Sequence, residues 1–171
     1  MAVNASMEKM NRGYPTGAQG EDRMVEECGD IWEHQGKAVI AVTTSGSVAR
    51  NGKAVMGRGV ARQAAQRFPN FPLILGLLLK NDGNHVHQLG KGIVSFPVEE
   101  SAWECPDLRI ISRSARELRE LADSKGWKMV VVPRAGCGGG GLEWREVRPL
   151  LEEYFDDRFI VISAPAVPSG Q

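Results

Sequence analysis

The chain has 171 residues, enough for one domain with a full hydrophobic core. Its 21 basic residues balance 21 acidic ones, so composition gives no reason to expect tight, sequence-independent binding to nucleic acid. No apolar run reaches the roughly 20 residues that span a bilayer, and the N-terminus lacks a secretory signal core. The cysteines Cys28, Cys105 and Cys137 have no paired metal spacing and are typical of reduced thiols. We therefore expect a soluble, cytoplasmic monomer without a membrane partner, a cofactor or a metal.

Both ends of the chain differ in composition from its centre. Residues 1–22 are polar and aperiodic and are predicted to form a flexible tail. Residues 165–171 are rich in Pro, Ser and Gly and are predicted to be loose as well. One domain is expected between them, at 23–164.

Strands and helices alternate along this domain. The predicted strands are 24–28, 37–44, 85–88, 92–98, 127–133 and 158–163. The predicted helices are 59–68, 72–80, 107–125 and 143–154. The strands at 37–44 (KAVIAVTT) and 127–133 (WKMVVVP) are near-continuous apolar runs, typical of strands buried on both faces. The alternation predicts an α/β fold with helices on both faces of a largely parallel sheet.

Two glycine-rich segments precede helices. Met56-Gly57-Arg58-Gly59-Val60-Ala61 opens the helix at 59–68, where free N–H groups and the helix dipole favour an anion. A tight turn accounts for this short motif equally well. The second segment, 133–142 (PRAGCGGGGL), follows a buried strand directly. Ordering so many glycines has a large entropic cost, which a loop that wraps a diphosphate would justify and a mere connection would not.

Smaller motifs carry weaker signals. In Gly29-Asp30-Ile31 a carboxylate and a neighbouring amide could bind an adenine ring, although an ordinary turn aspartate accounts for the triplet by itself. Phe96, near the end of a strand, could lie against a ribose or in the core. Cys137 is a nucleophile only if its pKa is lowered, and a small residue in a tight loop is the simpler role. His85 and His87 lack a visible third ligand for a metal.

The order of these motifs resembles that of the macro domain family over residues 24–163. The single G-x-G-[IV]-A loop and the P-[RK]-[IA]-G-[CA]-G…W signature are similar to one branch of that family. The branch contains terminal ADP-ribose glycohydrolases, ADP-ribose-1″-phosphate phosphatases and antitoxins that remove ADP-ribose from DNA. The resemblance implies a three-layer α/β/α macro domain with a central mixed, largely parallel sheet.

The resemblance also implies a ligand, ADP-ribose, and the residues that hold it. Asp30 should bind the adenine amino group, Ile31 the ring through its main chain, and the two glycine segments the diphosphate. Phe96 and, by analogy with other macro domains, Asn51 should lie near the proximal ribose. The residues expected to bind ADP-ribose are Asp30, Ile31, Thr44, Asn51, Gly57, Gly59, Val60, Ala61, Phe96, Ala135, Gly136, Cys137, Gly138, Gly139, Gly140, Gly141 and Leu142.

Two departures put hydrolysis in question. Hydrolytic relatives carry a lysine where this chain reads Ser95-Phe96-Pro97, and the nearest basic residue is Lys91. They also carry an aspartate where this chain has Gly140. Three hypotheses follow: a module that binds free or macromolecule-linked ADP-ribose, a hydrolase, and a phosphatase acting on ADP-ribose-1″-phosphate. A hydrolase would need a water oriented by Asn51, Lys53 or Glu99, and its partner would be an ADP-ribosylated protein or nucleic acid.

Overall fold

A computed structural model describes residues 22–165. The predicted tails, 1–22 and 165–171, lie outside this range except for one residue each. The strands are β1 (Val25–Cys28), β2 (Val39–Ser45), β3 (Gln88–Gly90), β4 (Ile93–Glu99), β5 (Val130–Pro133) and β6 (Phe159–Ser163). The helices are α1 (Gly59–Arg67), α2 (Phe71–Asp82), α3 (Leu108–Lys125) and α4 (Trp144–Glu152), with a 3-10 turn at Ile31–His34.

The six strands form one sheet in the order β1-β6-β5-β2-β4-β3. All neighbouring pairs are parallel except β3 with β4, which are antiparallel. The prediction of a mixed, largely parallel sheet is therefore confirmed. The carboxyl ends of five strands consequently meet at one edge of the sheet, the position at which open α/β sheets bind ligands.

Apolar side chains pack on both faces of the sheet. One core cluster joins alternate strand residues, such as Ala41 and Val132, to α3 and α4. The other joins the intervening residues, such as Ile40 and Val131, to α1, α2 and the 3-10 turn. Because successive side chains of a strand point to opposite faces, near-continuous apolar runs fill both layers. The expected three-layer α/β/α architecture is confirmed.

The longest helix, α3, begins and ends where its sequence predicts. The Asp107 side chain accepts a hydrogen bond from the backbone N–H of Arg109 at 2.8 Å, which caps the first turn. Gly126 adopts a left-handed conformation, with φ of 67°, and closes the last turn. No helix within residues 22–165 is long and apolar enough to cross a membrane.

Three local features differ from the sequence-based prediction. The strand predicted at 85–88 lies at Gln88–Gly90, because the preceding residues bond to side chains: Val86 N–H to Glu117, and His87 N–H to the Ser95 hydroxyl. The strand predicted from 127 begins only at Val130. The 3-10 turn at Ile31–His34 is absent from the prediction, since one short turn leaves no periodic pattern.

Candidate ligand-binding cleft

A cleft of about 750 Å³ lies at the carboxyl ends of β2, β4, β5 and β6. One wall is the segment that opens α1, and the opposite wall is the glycine loop between β5 and α4. The floor is made by the last residues of the strands, among them Thr44, Val98 and Ile162. Its volume falls in the range of pockets that hold small molecules and cofactors.

The wall formed by α1 is rich in unpaired backbone donors. Arg58, the residue before the helix, is extended and gives the first turn no side-chain cap. The first N–H groups of α1 therefore lack intrahelical partners and lie beside the cleft. A Cβ added at Gly57 would meet no atom within 4 Å, so the space in front of this backbone is open. This wall suits a negatively charged group.

The glycines of the opposite wall fall into two kinds. At Gly136, with φ of 74°, an added Cβ would lie 2.8 Å from the Leu142 side chain; at Gly140 it would lie 2.6 Å from Pro106. These two glycines let the loop pack closely on the protein. Added Cβ atoms at Gly138 and Gly139 would meet nothing within 4 Å. Gly138 and Gly139 line the cleft, and the packing of the loop does not require glycine at either position.

Thr44 supplies an unpaired polar group in the floor. The residue is 4% exposed and lines the cleft at the end of β2. Its Oγ1 hydroxyl is buried and has no hydrogen-bond partner among the described residues. A buried hydroxyl without a partner is unfavourable, and a ligand or water in the cleft would relieve that cost.

Glu99, at the end of β4, is the one carboxylate among the described residues that line the cleft. Burial raises the pKa of its carboxyl group, the positive charge of Arg58 lowers it, and the negative charge of Glu104 raises it further. The net change is upward, which makes the carboxylate a stronger base than an exposed glutamate.

Asp30 lies next to the cleft at its β6 end but does not line it. Its Oδ1 accepts from the backbone N–H of Trp32 at 3.0 Å, which caps the 3-10 turn. The neighbouring Gly29 N–H donates to the carbonyl of Ser163, a cleft residue, at 3.0 Å. One oxygen of the Asp30 carboxylate therefore stabilises the turn. The side chain is exposed, and its second oxygen has no hydrogen bond within the described residues.

Several predicted ligand-binding side chains do not face the cleft. Phe96 and Ala135 are fully buried in the core, and neither lines the cleft; that Phe96 lies near the proximal ribose stays a prediction. The side chain of Ile31 is buried as well, which leaves its main chain for a ligand. Gly141 does not line the cleft. The remaining predicted residues do line it: Thr44, Gly57, Gly59, Val60, Ala61, Gly136, Cys137, Gly138, Gly139, Gly140 and Leu142.

Asn51 and Lys53 also lie away from the cleft. Their loop folds back as a small hairpin, and Asn51 Oδ1 accepts from the backbone N–H of Lys53 at 3.0 Å. The hairpin packs on α2, where Ala54 N–H donates to the carbonyl of Pro72 at 2.7 Å. That Asn51 holds a ribose, or that either residue orients a water, stays a prediction that the position of this loop does not support. Lys91 lies at the amino end of β4, the opposite edge of the sheet.

Cys137 is partly buried, and His85 and His87 have partners within the protein. Burial raises the pKa of the Cys137 thiol, the opposite of what a nucleophile needs. His85 pairs with Glu117 at 2.9 Å, and the Nε2 of His87 lies 2.8 Å from the carbonyl of Gly83. Residues 22–165 contain no group of three or more His, Cys, Asp or Glu that could hold a metal ion.

Sequence reasoning missed the segment 100–107, which connects β4 to α3. Ala102, Trp103 and Pro106 of this segment line the cleft, and Arg58 reaches it from α1. The available signal was a tryptophan in a polar stretch directly after a buried strand. Taken alone, that signal does not distinguish a cleft residue from an ordinary surface residue.

Several solved structures with this architecture are macro domains. The macrodomain of DarG from Mycobacterium tuberculosis superimposes with a TM-score of 0.70 and 23% identity, covering 84% of this chain and 99% of that one. The chain has the fold of a macro domain. DarTG of Thermosipho africanus, solved in complex with ADP-ribose, matches this macro domain with a TM-score of 0.64 and 21% identity over 82% of this chain and 42% of that one.

Curated proteins similar in sequence to this chain carry the name DNA ADP-ribosyl glycohydrolase. The chain is 26% identical over 133 residues to a DNA ADP-ribosyl transferase–DNA ADP-ribosyl glycohydrolase fusion protein of Thermosipho africanus, which covers 63% of this chain. It is 27% identical over 128 residues to a DNA ADP-ribosyl glycohydrolase of Mycobacterium tuberculosis, which covers 68%. The chain spans about a third of the length of these relatives, 34% and 36%. No family model matches it.

Proposed function

We propose that this macro domain binds ADP-ribose in the cleft, with the diphosphate between the opening of α1 and the glycine loop. The observation that carries this proposal is bare backbone on both walls: Gly57 on one side, Gly138 and Gly139 on the other, all facing open space. Backbone N–H groups can approach phosphate oxygens closely only where no side chain intervenes. The ADP-ribose bound by DarTG of Thermosipho africanus supports the same ligand here.

The cleft has two different ends, which suggests an orientation for the ligand. Asp30 and Ser163 lie at the β6 end, where a free carboxylate oxygen can accept from the adenine amino group. Glu99 lies at the β4 end, on the other side of β2 in the sheet. We place the adenine at the first end and the distal ribose, whose anomeric carbon carries any linked macromolecule, at the second.

Calorimetry with ADP-ribose, AMP, ADP and ribose 5-phosphate tests binding. We expect ADP-ribose to bind most tightly, because it alone spans both ends of the cleft. Equal affinity for ADP and ADP-ribose would contradict the placement of the distal ribose. Absence of binding by ADP-ribose would refute the function.

A second proposal is that the domain hydrolyses the bond at the anomeric carbon. Of the three residues considered for orienting a water, Glu99 alone lines the cleft, and its raised pKa suits a general base. The water oxygen would bond to the anomeric carbon while its proton passes to the Glu99 carboxylate. The bond to the leaving group would break with its electron pair, and that group would take a proton from solvent.

Product analysis on ADP-ribose linked to DNA, protein or phosphate tests this chemistry. The names of the curated relatives favour the DNA linkage as the first substrate. Phosphatase action on ADP-ribose-1″-phosphate is the alternative, and release of inorganic phosphate would support it. Glu99→Gln should retain binding and lose hydrolysis. Hydrolysis that persists in this variant would exclude Glu99 as the base.

We also propose that the protein works in a reducing compartment such as the cytoplasm. All three cysteines are free thiols, and Cys28 and Cys105 are exposed. Such thiols persist where glutathione and thioredoxin keep them reduced.

A further inference from the structure

We propose that Trp103 determines specificity at this cleft, by stacking its indole on the nucleobase to which ADP-ribose is attached. The inference rests on the proposed ADP-ribose function and names the residue that would read the linked group. Trp103 is 79% exposed, the highest fraction among the large hydrophobic side chains of residues 22–165. Exposed apolar residues are common singly, but this one lies at the edge of the cleft.

The backbone around Trp103 is held in place by side chains of the cleft wall. The N–H of Ala102 donates to the Ser47 hydroxyl at 2.9 Å, and the Ala102 carbonyl accepts from the Arg58 guanidinium at 2.6 Å. The N–H of Trp103 itself lies 3.2 Å from the Ser101 hydroxyl. Both polar groups of Ala102 are therefore anchored, and the neighbouring indole projects from a fixed backbone. A fixed backbone limits the conformational entropy that is lost when a ligand stacks on the indole.

The position of Trp103 along the cleft matches the exit of a linked group. It follows Glu99 by four residues, at the β4 end, while Asp30 marks the β6 end. With adenine at the β6 end, the anomeric carbon of the distal ribose comes to the β4 end. Whatever is attached to that carbon must leave the cleft beside the segment 100–107.

The chemistry of an indole favours one class of attached group. A nucleobase presents a flat π-face, and base–aromatic stacking is favourable with any base sequence. A glutamate or serine side chain of an ADP-ribosylated protein has no such face. The chain carries no net charge, so general attraction to phosphates does not explain a preference for nucleic acid. A stacking contact at the linkage would explain it.

The test compares Trp103→Ala and Trp103→Phe, with Leu77→Ala as a matched control. Leu77 is also an exposed apolar residue, 53% accessible, but lies on α2 outside the cleft. All variants are made in the Glu99→Gln background, so that the linkage survives the measurement. Competition against a fluorescent ADP-ribose gives the Kd of free ADP-ribose, of an ADP-ribosylated single-stranded oligonucleotide and of an ADP-ribosylated peptide.

Trp103→Ala should weaken binding of the oligonucleotide by about 10- to 100-fold and leave the free ligand and the peptide unchanged. Trp103→Phe should retain most of the affinity, and Leu77→Ala all of it. An equal loss for the peptide, or no loss for the oligonucleotide, would overturn the assignment. Equal loss for free ADP-ribose would overturn it too, since Trp103 would then contact the ADP-ribose itself. If the Leu77→Ala protein does not bind free ADP-ribose, the proposed function is contradicted, and the result does not concern Trp103.

Discussion

The two oxygens of the Asp30 carboxylate have separate roles. One carboxylate oxygen caps the 3-10 turn, and the other is free for an adenine amino group. Asp30→Asn should keep the cap, because asparagine is an equally good N-cap, but its NH2 group would face the adenine donor. We expect unchanged stability and an ADP-ribose affinity lower by roughly 1.5–3 kcal/mol, measured by calorimetry.

Asp30→Ala separates these roles further. It should show the same loss of affinity and also a loss of about 1 kcal/mol in the free energy of unfolding, because the cap is gone. Normal binding by both variants would mean that Asp30 is only a turn residue.

The surroundings of Glu99, which include Arg58, predict how the rate of hydrolysis changes with pH. A general base must be ionised, and burial raises the pKa of Glu99, so the acidic limb of kcat should lie above the ordinary glutamate range. Arg58→Met removes a positive charge that lowers this pKa. The midpoint of the limb should therefore move to higher pH in a kcat–pH profile. A midpoint that stays fixed or falls would contradict the assignment of Glu99.

The sequence predicts the place of the glycine segments better than the place of individual side chains. Most residues of the two glycine segments line one cleft, and the sequence predicts this because a glycine-rich stretch beside a buried strand or a helix start indicates a close approach of the backbone to another group. The buried position of Phe96 could not be predicted from local sequence, because β4 is buried on both faces from Ile93 to Val98 and only Glu99 at its end is partly exposed. The positions of Asn51 and Lys53 could not be predicted either, because the path of their loop depends on packing against α2, which the local sequence does not encode.

Among structural elements, the glycine loop allows binding and folding to be tested separately. A Cβ at Gly139 meets no atom within 4 Å, whereas at Gly140 it lies 2.6 Å from Pro106 and 2.7 Å from the Gly136 carbonyl. Gly139→Val should therefore melt like the unmodified protein and lose ADP-ribose binding, because valine fills the phosphate space. Thermal denaturation and calorimetry on the same sample measure both effects.

Gly140→Val serves as the contrasting variant. Overpacking against Pro106 should lower its free energy of unfolding by about 1–3 kcal/mol, whether or not ligand is present. If Gly139→Val instead binds ADP-ribose normally, the loop is a passive connection and the phosphate site must be formed by α1 alone.

The elements themselves were largely predictable because hydrophobic periodicity reports burial directly. The helix α3 was found almost to the residue, since its apolar spacing, its Asp107 cap and its Gly126 terminator agree. The short strand β3 begins later than predicted, because the N–H groups of Val86 and His87 donate to the side chains of Glu117 and Ser95. Signals of that kind exist only in the folded chain.

For the whole molecule, ligand binding should appear as added stability. A ligand that binds only the folded state at 100 times its Kd adds about 2.7 kcal/mol to the free energy of unfolding. ADP-ribose at that concentration should raise the melting temperature more than AMP or ATP at the same concentration. Equal shifts from all three would indicate a nucleotide site without selectivity for the distal ribose.

The sheet order has a consequence for how the protein emerges from the ribosome. Within residues 22–165, β1 pairs with β6 alone, and β6 also pairs with β5. Among the described strands, the one nearest the N-terminus must therefore wait for the one nearest the C-terminus. Until Phe159–Ser163 leaves the exit tunnel, β1 has no partner and Ser163 is missing from the adenine end of the cleft. A nascent chain of this domain should gain its ligand site in a single late step, together with the closure of its sheet.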